Sequence, residues 1–112
     1  MKVKIEEKYQ AAIIELSGSL VGGENAELFR KKLYELIEQK KKNIVVDMTN
    51  VKMVNSTGIG ILISGLTTLK NASGDLKLAH ISDNVKGVLS ITRLNNVFHI
   101  YNNVDEAVKS YG

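Results

Sequence analysis

Residues 43–69 read NIVVDMTNVKMVNSTGIGILISGLTTL. Ile44, Val45 and Val46 form a continuous β-branched run, the pattern of a strand buried on both faces. Thr49 and Asn50 carry turn chemistry, after which Val51, Met53 and Val54 return the chain across apolar surface. Asn55, Ser56 and Thr57 follow, three residues whose side-chain oxygens can cap a helix by accepting from free backbone N–H groups. From Thr57 to about Leu69 the spacing predicts a helix, with Ile59, Leu62, Ile63, Leu66 and Leu69 on one stripe. Gly58, Gly60 and Gly65 interrupt it, each costing roughly 1 kcal/mol against alanine. Their presence implies a backbone that must come close to its own sheet or to a partner. This stretch places a small polar loop, with a hydroxyl, at the positive end of a helix.

The flanks arrange themselves around this unit. Val3 and Ile5 alternate with charged residues as in a half-buried strand, and Lys8–Gln10 can turn the chain. Ala11–Leu20 reads as a second strand, with Ile14, Leu16, Gly18 and Leu20 on one face. Gly22 and Gly23 break it. A helix is expected from about Glu24 to Lys41, burying Ala26, Phe29, Leu33, Leu36 and Ile37. Beyond the central unit, Asn71–Asp75 is a polar turn with Gly74 as a helix stop. Leu76, Leu78 and Ile81 suggest a strand. Ser82 and Asp83 cap a short helix turning Val85, Val88 and Leu89 inward. Val97–Tyr101 is the last strand, and Asn103 with Glu106 forms a capping-box-like pair that opens a final helix. Val104, Ala107, Val108 and Tyr111 would be its buried stripe. The order β-β-α-β-α-β-α-β-α defines an α/β sandwich with mostly parallel strands in its later part.

Composition narrows the function classes. A chain of 112 residues supports one domain, 1–112, with a modest core. Without cysteine there are no disulfides or thiolate metal sites. No apolar run approaches a membrane span, and charged residues interrupt the N-terminal segment, so a cytoplasmic protein is expected. Fifteen Lys and Arg against twelve Asp and Glu leave a net charge of +3. The densest basic cluster, Lys40–Lys42, lies at the end of the expected helix that opens with Glu24 and Glu27, an arrangement the helix dipole favours. Few aromatics accompany the basic residues, so nucleic-acid binding is not expected.

Catalysis finds little support. His80 and His99 fall in predicted strands without a nucleophile or ligand at motif spacing, and Ser56 lacks a G-x-S-x-G elbow. The Gly58–Gly60 spacing departs from G-x-G-x-x-G, and no P-loop lysine follows. A small nucleotide-binding protein is therefore the weakest reading. Asp47 and the Asn55–Ser56 pair are expected at the carboxyl end of the sheet, where open α/β folds place functional groups.

The run VVDMTNVKMVNSTGIGILI resembles the signature of the STAS domains, the fold of bacterial anti-anti-sigma factors. That signature is an Asp-Leu-Ser turn, a few residues, then Met-Asp-Ser-Ser/Thr-Gly-Leu-Gly. Length, element order, the Gly18-Ser19-Leu20 strand end and the closing short helix extend the resemblance over nearly the whole chain. It implies a STAS-like single domain with a mixed, mostly parallel sheet of about four to five strands and about four helices. It further implies that Ser56 is phosphorylated by an ATP-dependent serine kinase that is itself the anti-sigma factor, and restored by a PP2C-type phosphatase. Asn55, Thr57, Gly58 and Gly60 would then meet the partner, with Gly58 and Gly60 offering exposed backbone, and Asp47 would support the loop. No cofactor or metal is implied. Asn55 and Val21 stand where the family usually carries acidic residues. The alternative reading is a non-phosphorylated STAS scaffold subunit of a signalling or lipid-transport complex.

Overall fold

The computed structural model describes residues 2–21 and 23–111. Its elements are β1 (Lys2–Lys8), β2 (Ala11–Leu20), α1 (Gly23–Glu38), β3 (Asn43–Val54), α2 (Ser56–Asn71), β4 (Asp75–Ala79), α3 (Asp83–Ile91), β5 (His99–Tyr101) and α4 (Val104–Lys109). They form a five-stranded sheet in the order β1-β2-β3-β4-β5. The β1/β2 pair is antiparallel, and the other three pairs are parallel. This is the single α/β domain expected, with sheet and helices in sequence order. Gly22, half of the anticipated glycine break, lies outside the described residues.

The central strands β2, β3 and β4 are buried on both faces over much of their length because each face has its own cover. Ile14, Leu16, Ile44, Val46, Leu76 and Leu78 pack beneath α1, α2 and α3, together with Phe29, Leu33, Leu62, Leu66 and Leu89. On the other face Ala11, Ile13, Val45 and Ala79 pack with Ala107 and Val108 of α4. Burying apolar area at about 25 cal/mol per Å² makes these two layers the main stabilising term. The Tyr111 hydroxyl fastens the α4 end to the sheet, donating towards the carbonyls of Ile44 at 2.6 Å and Asp75 at 2.9 Å. Burial holds the Tyr111 phenol well above its usual pKa.

Several sequence expectations change. The turn expected at Thr49–Asn50 is not made: β3 runs on to Val54, paired with β2 through Ser17↔Asn50, Gly18↔Val51 and Leu20↔Val54. Two irregularities in register, at Glu15/Ser17 and Gly18/Leu20, take up the polar residues without ending the strand. Helix α1 stops at Glu38 rather than Lys41. Lys40 adopts φ +63°, its N–H bonds Ile37 O, and Lys41 N–H reaches back to Leu36 O. That is a Schellman ending with lysine at the position glycine usually takes. Helix α2 ends the same way, and here Ser73, not Gly74, is left-handed at φ +65°. Gly74 is required for closeness instead, because a Cβ there would strike the Lys42 backbone. The last strand is shorter than expected, beginning at His99 rather than Val97.

A candidate functional site at the start of helix α2

A single residue, Asn55, separates β3 from α2, and its side chain is used at both ends. Its backbone is extended at φ −120°, ψ −174°, the geometry of an N-cap. The side-chain oxygen accepts from Gly58 N–H at 3.2 Å. The side-chain amide donates to the Val21 carbonyl at 2.8 Å, and Asn55 N–H donates to Leu20 O at 3.2 Å. The start of α2 is thereby tied to the end of β2. An aspartate could cap the helix but could not donate to Val21, so asparagine joins the two loops in a way a carboxylate cannot.

Gly58 completes the junction from below. It is buried, and a Cβ would collide with the Leu20 carbonyl oxygen and come within 2.8 Å of Leu20 Cγ. The expectation of exposed backbone at Gly58 is therefore corrected: the missing side chain serves packing within the domain. Gly60 does fit that expectation, being exposed with open space where a side chain would stand. Gly65 is another close approach, with Leu33 Cδ2 at 2.5 Å from its would-be Cβ.

Ser56 is the first residue of α2 and is exposed, as is Thr57. Because Asn55 does the capping, neither hydroxyl takes part in a hydrogen bond among the described residues. The first turn holds no acidic residue. Free N–H groups and the helix dipole favour an anion at such a place. Two side chains that the sequence reading did not assign to a partner surface border this junction: Met53, 52% exposed at the end of β3, and Val21, 41% exposed beyond β2. Large apolar side chains left in solvent beside a polar loop suit a contact surface. The alternation of Met53 with Val54 was the available signal for the first, and Val21 stood out only as a departure from the acidic residue the family usually carries there.

Asp47 is not part of this junction. Its Oδ1 accepts from Thr49 N–H at 3.0 Å and from the Thr49 hydroxyl at 2.6 Å, and Thr49 Oγ1 lies 3.0 Å from His80 Nδ1. With the Thr49 proton given to Asp47, His80 Nδ1 is the donor in that last bond. Asp47 pairs with Glu15 while Val54 pairs with Leu20. Seven residues of strand at about 3.3 Å each put roughly 20 Å between them. Asp47 therefore supports the irregular stretch of β3, and the expectation that it shares the Ser56 loop is corrected.

The domain is thus a five-stranded sheet covered on one face by α1–α3 and on the other by the short C-terminal α4, with an exposed serine at the start of α2. The STAS domain family model matches residues 2–107, and the chain belongs to that family. It is 31% identical over 86 residues to the anti-sigma-B factor antagonist of Listeria monocytogenes, covering 73% of this chain and 75% of that one. Its fold is shared with the anti-sigma factor antagonist SpoIIAA in its unphosphorylated form, at a TM-score of 0.85 and 20% identity over 98% of this chain and 96% of that one. The phosphorylated form of SpoIIAA, a Bacillus cell fate determinant, matches at a TM-score of 0.78 and 19% identity, over 99% and 100% of the two chains. Among the described residues, no group of three or more His, Cys, Asp and Glu could hold a metal, and no helix is long and apolar enough to cross a membrane.

Proposed function

We propose that this chain is an anti-sigma factor antagonist switched at Ser56. In its unmodified form it binds an anti-sigma factor that is a serine kinase, and so frees the sigma factor. The kinase transfers the γ-phosphoryl group of ATP to the Ser56 hydroxyl and ends the interaction, and a PP2C-type phosphatase reverses the transfer. The observation that carries this reading is the division of labour at the α2 start: Asn55 caps the helix, so the exposed Ser56 hydroxyl has no structural duty. Thr57, Gly60, Met53 and Val21 would form the surface that the partner meets.

The physical switch is one of charge. A phosphate brings about −1.5 to −2 charges. At a helix N-terminus it is neutral to stabilising for the domain, by roughly 0.3–1 kcal/mol. Against a closely packed partner the same dianion must lose water, at a cost of at least about 1.4 kcal/mol, a tenfold loss of affinity. The domain stays folded while the complex is lost.

The test is incubation with the cognate kinase and ATP, followed by mass spectrometry of wild type, Ser56→Ala and Thr57→Ala. One phosphate on wild type and Thr57→Ala, and none on Ser56→Ala, is expected. Full phosphorylation of Ser56→Ala would move the modification elsewhere. Tight kinase binding without any phosphorylation would favour the unmodified scaffold.

A further inference from the structure

Strand β1 is an outer strand, bonded to β2 along one side and, among the described residues, unpaired along the other. Such an edge presents a row of unpaired N–H and C=O groups that another strand can meet. Its side chains are distributed by register. Lys2, Lys4, Glu6 and Lys8 share the face of Ala11, Ile13 and Glu15, while Val3 and Ile5 share the helix-covered face of Leu16 and Ile14. Ile5 remains 41% exposed on that face.

Charges on an edge commonly prevent sheet-to-sheet pairing. Here, among antiparallel pairings about a two-fold axis, they disfavour the other registers and leave one. A parallel pairing in register sets each charge against its like. An antiparallel pairing centred on Lys4 or Glu6 puts two like charges on the axis, and one centred between residues sends Ile5 opposite a charge. Centred on Ile5, the strands pair over all seven residues: Ile5 meets Ile5, and Lys4 meets Glu6 twice. The flanking Lys2–Lys8 pair is tolerable because Lys8 is already bound to Asp105 at 3.0 Å. Glu7, opposite Val3, is likewise held by Lys41 at 2.6 Å.

We propose that β1 is a self-association edge, at which two copies of this chain pair their β1 strands antiparallel about a two-fold axis through Ile5. The result is an isologous dimer with one continuous sheet. An edge of seven residues buries less than the roughly 1,600 Å² of a standard interface, so a dissociation constant on the order of 0.1 mM is expected.

Sedimentation equilibrium between about 10 μM and about 1 mM tests this, using wild type, Lys4→Glu and Glu6→Lys. Wild type should pass from monomer to dimer over that range. Each single swap replaces two attractive pairs with two repulsive ones and should weaken association at least about tenfold. An equimolar mixture of the two variants should recover it, because acid then meets base at both pairs. Both positions are exposed, and thermal melts of each variant establish that the monomers remain folded. A wild type that stays monomeric to about 1 mM overturns the proposal. So does a dimer indifferent to both swaps, or a mixture that associates no better than its components.

Discussion

Two strand-to-helix junctions in this domain carry a serine, and they use it differently. Where β4 gives way to α3, Ser82 is itself the N-cap, its Oγ accepting from Val85 N–H at 3.2 Å, and it is half-buried. Where β3 gives way to α2, Asn55 takes the cap, and Ser56 stands one position later, exposed and without a hydrogen bond among the described residues. A hydroxyl that caps a helix cannot be modified without loss to the fold. A hydroxyl relieved of capping can. The difference between the junctions is therefore the physical condition for a reversible mark at Ser56, and it can be probed one residue at a time.

The largest effect is expected at Gly58. Gly58→Ala drives a Cβ into the Leu20 backbone and should destabilise the domain by about 2–3 kcal/mol, read as a fall in urea midpoint. Gly60→Ala, facing open space, should instead be neutral to stabilising by up to about 1 kcal/mol. Equal responses from the two glycines would break the assignment of one to packing and the other to the surface.

Next comes Asn55→Ala, which removes the cap and the tie to Val21 together. A loss of about 1–2 kcal/mol is expected. Asn55→Asp keeps the capping oxygen and gives up the donor, so it should fall between wild type and alanine. If aspartate matched wild type in a thermal melt at high salt, where the gain of its charge from the helix dipole is screened, the Val21 bond would contribute nothing to the junction.

The serines themselves give the smaller and more telling contrast. Ser82→Ala should cost about 1 kcal/mol, as the loss of a cap does. Ser56→Ala should stay within about 0.5 kcal/mol of wild type. A Ser56→Ala variant as unstable as Ser82→Ala would place the hydroxyl in the structure of the helix and undo the comparison.

Much of the fold was legible locally. The Ile44–Val46 run, the 3.6-residue stripe of α2 and the Ser82 and Asn103 caps are short-range patterns, and each element expected from them is present. The strand order was not read from the sequence; in the fold the strands lie in chain order, as sequential strands commonly do. The inward stripe of α2 was readable only in part: Ile61 is buried as well and Ile63 is half-buried, both packed into the core that α1, α2 and α3 share on one sheet face.

The sequence by itself determined that a polar, helix-capping triplet, Asn55-Ser56-Thr57, would follow a buried strand, and that glycines would lie just beyond it. It could not say which of the three would cap, because all three side chains can accept from a helix N–H. Tertiary structure made that choice: the Val21 carbonyl, 34 residues away in the chain, offers Asn55 an acceptor for its amide, and Leu20 leaves room only for glycine at position 58. In the same way the sheet carried β3 through Thr49–Asn50, where local chemistry pointed to a turn, because β2 runs alongside to pair with it. Propensity acts over a few residues, whereas a hydrogen-bond partner supplied from a distant strand exists only once the chain has folded.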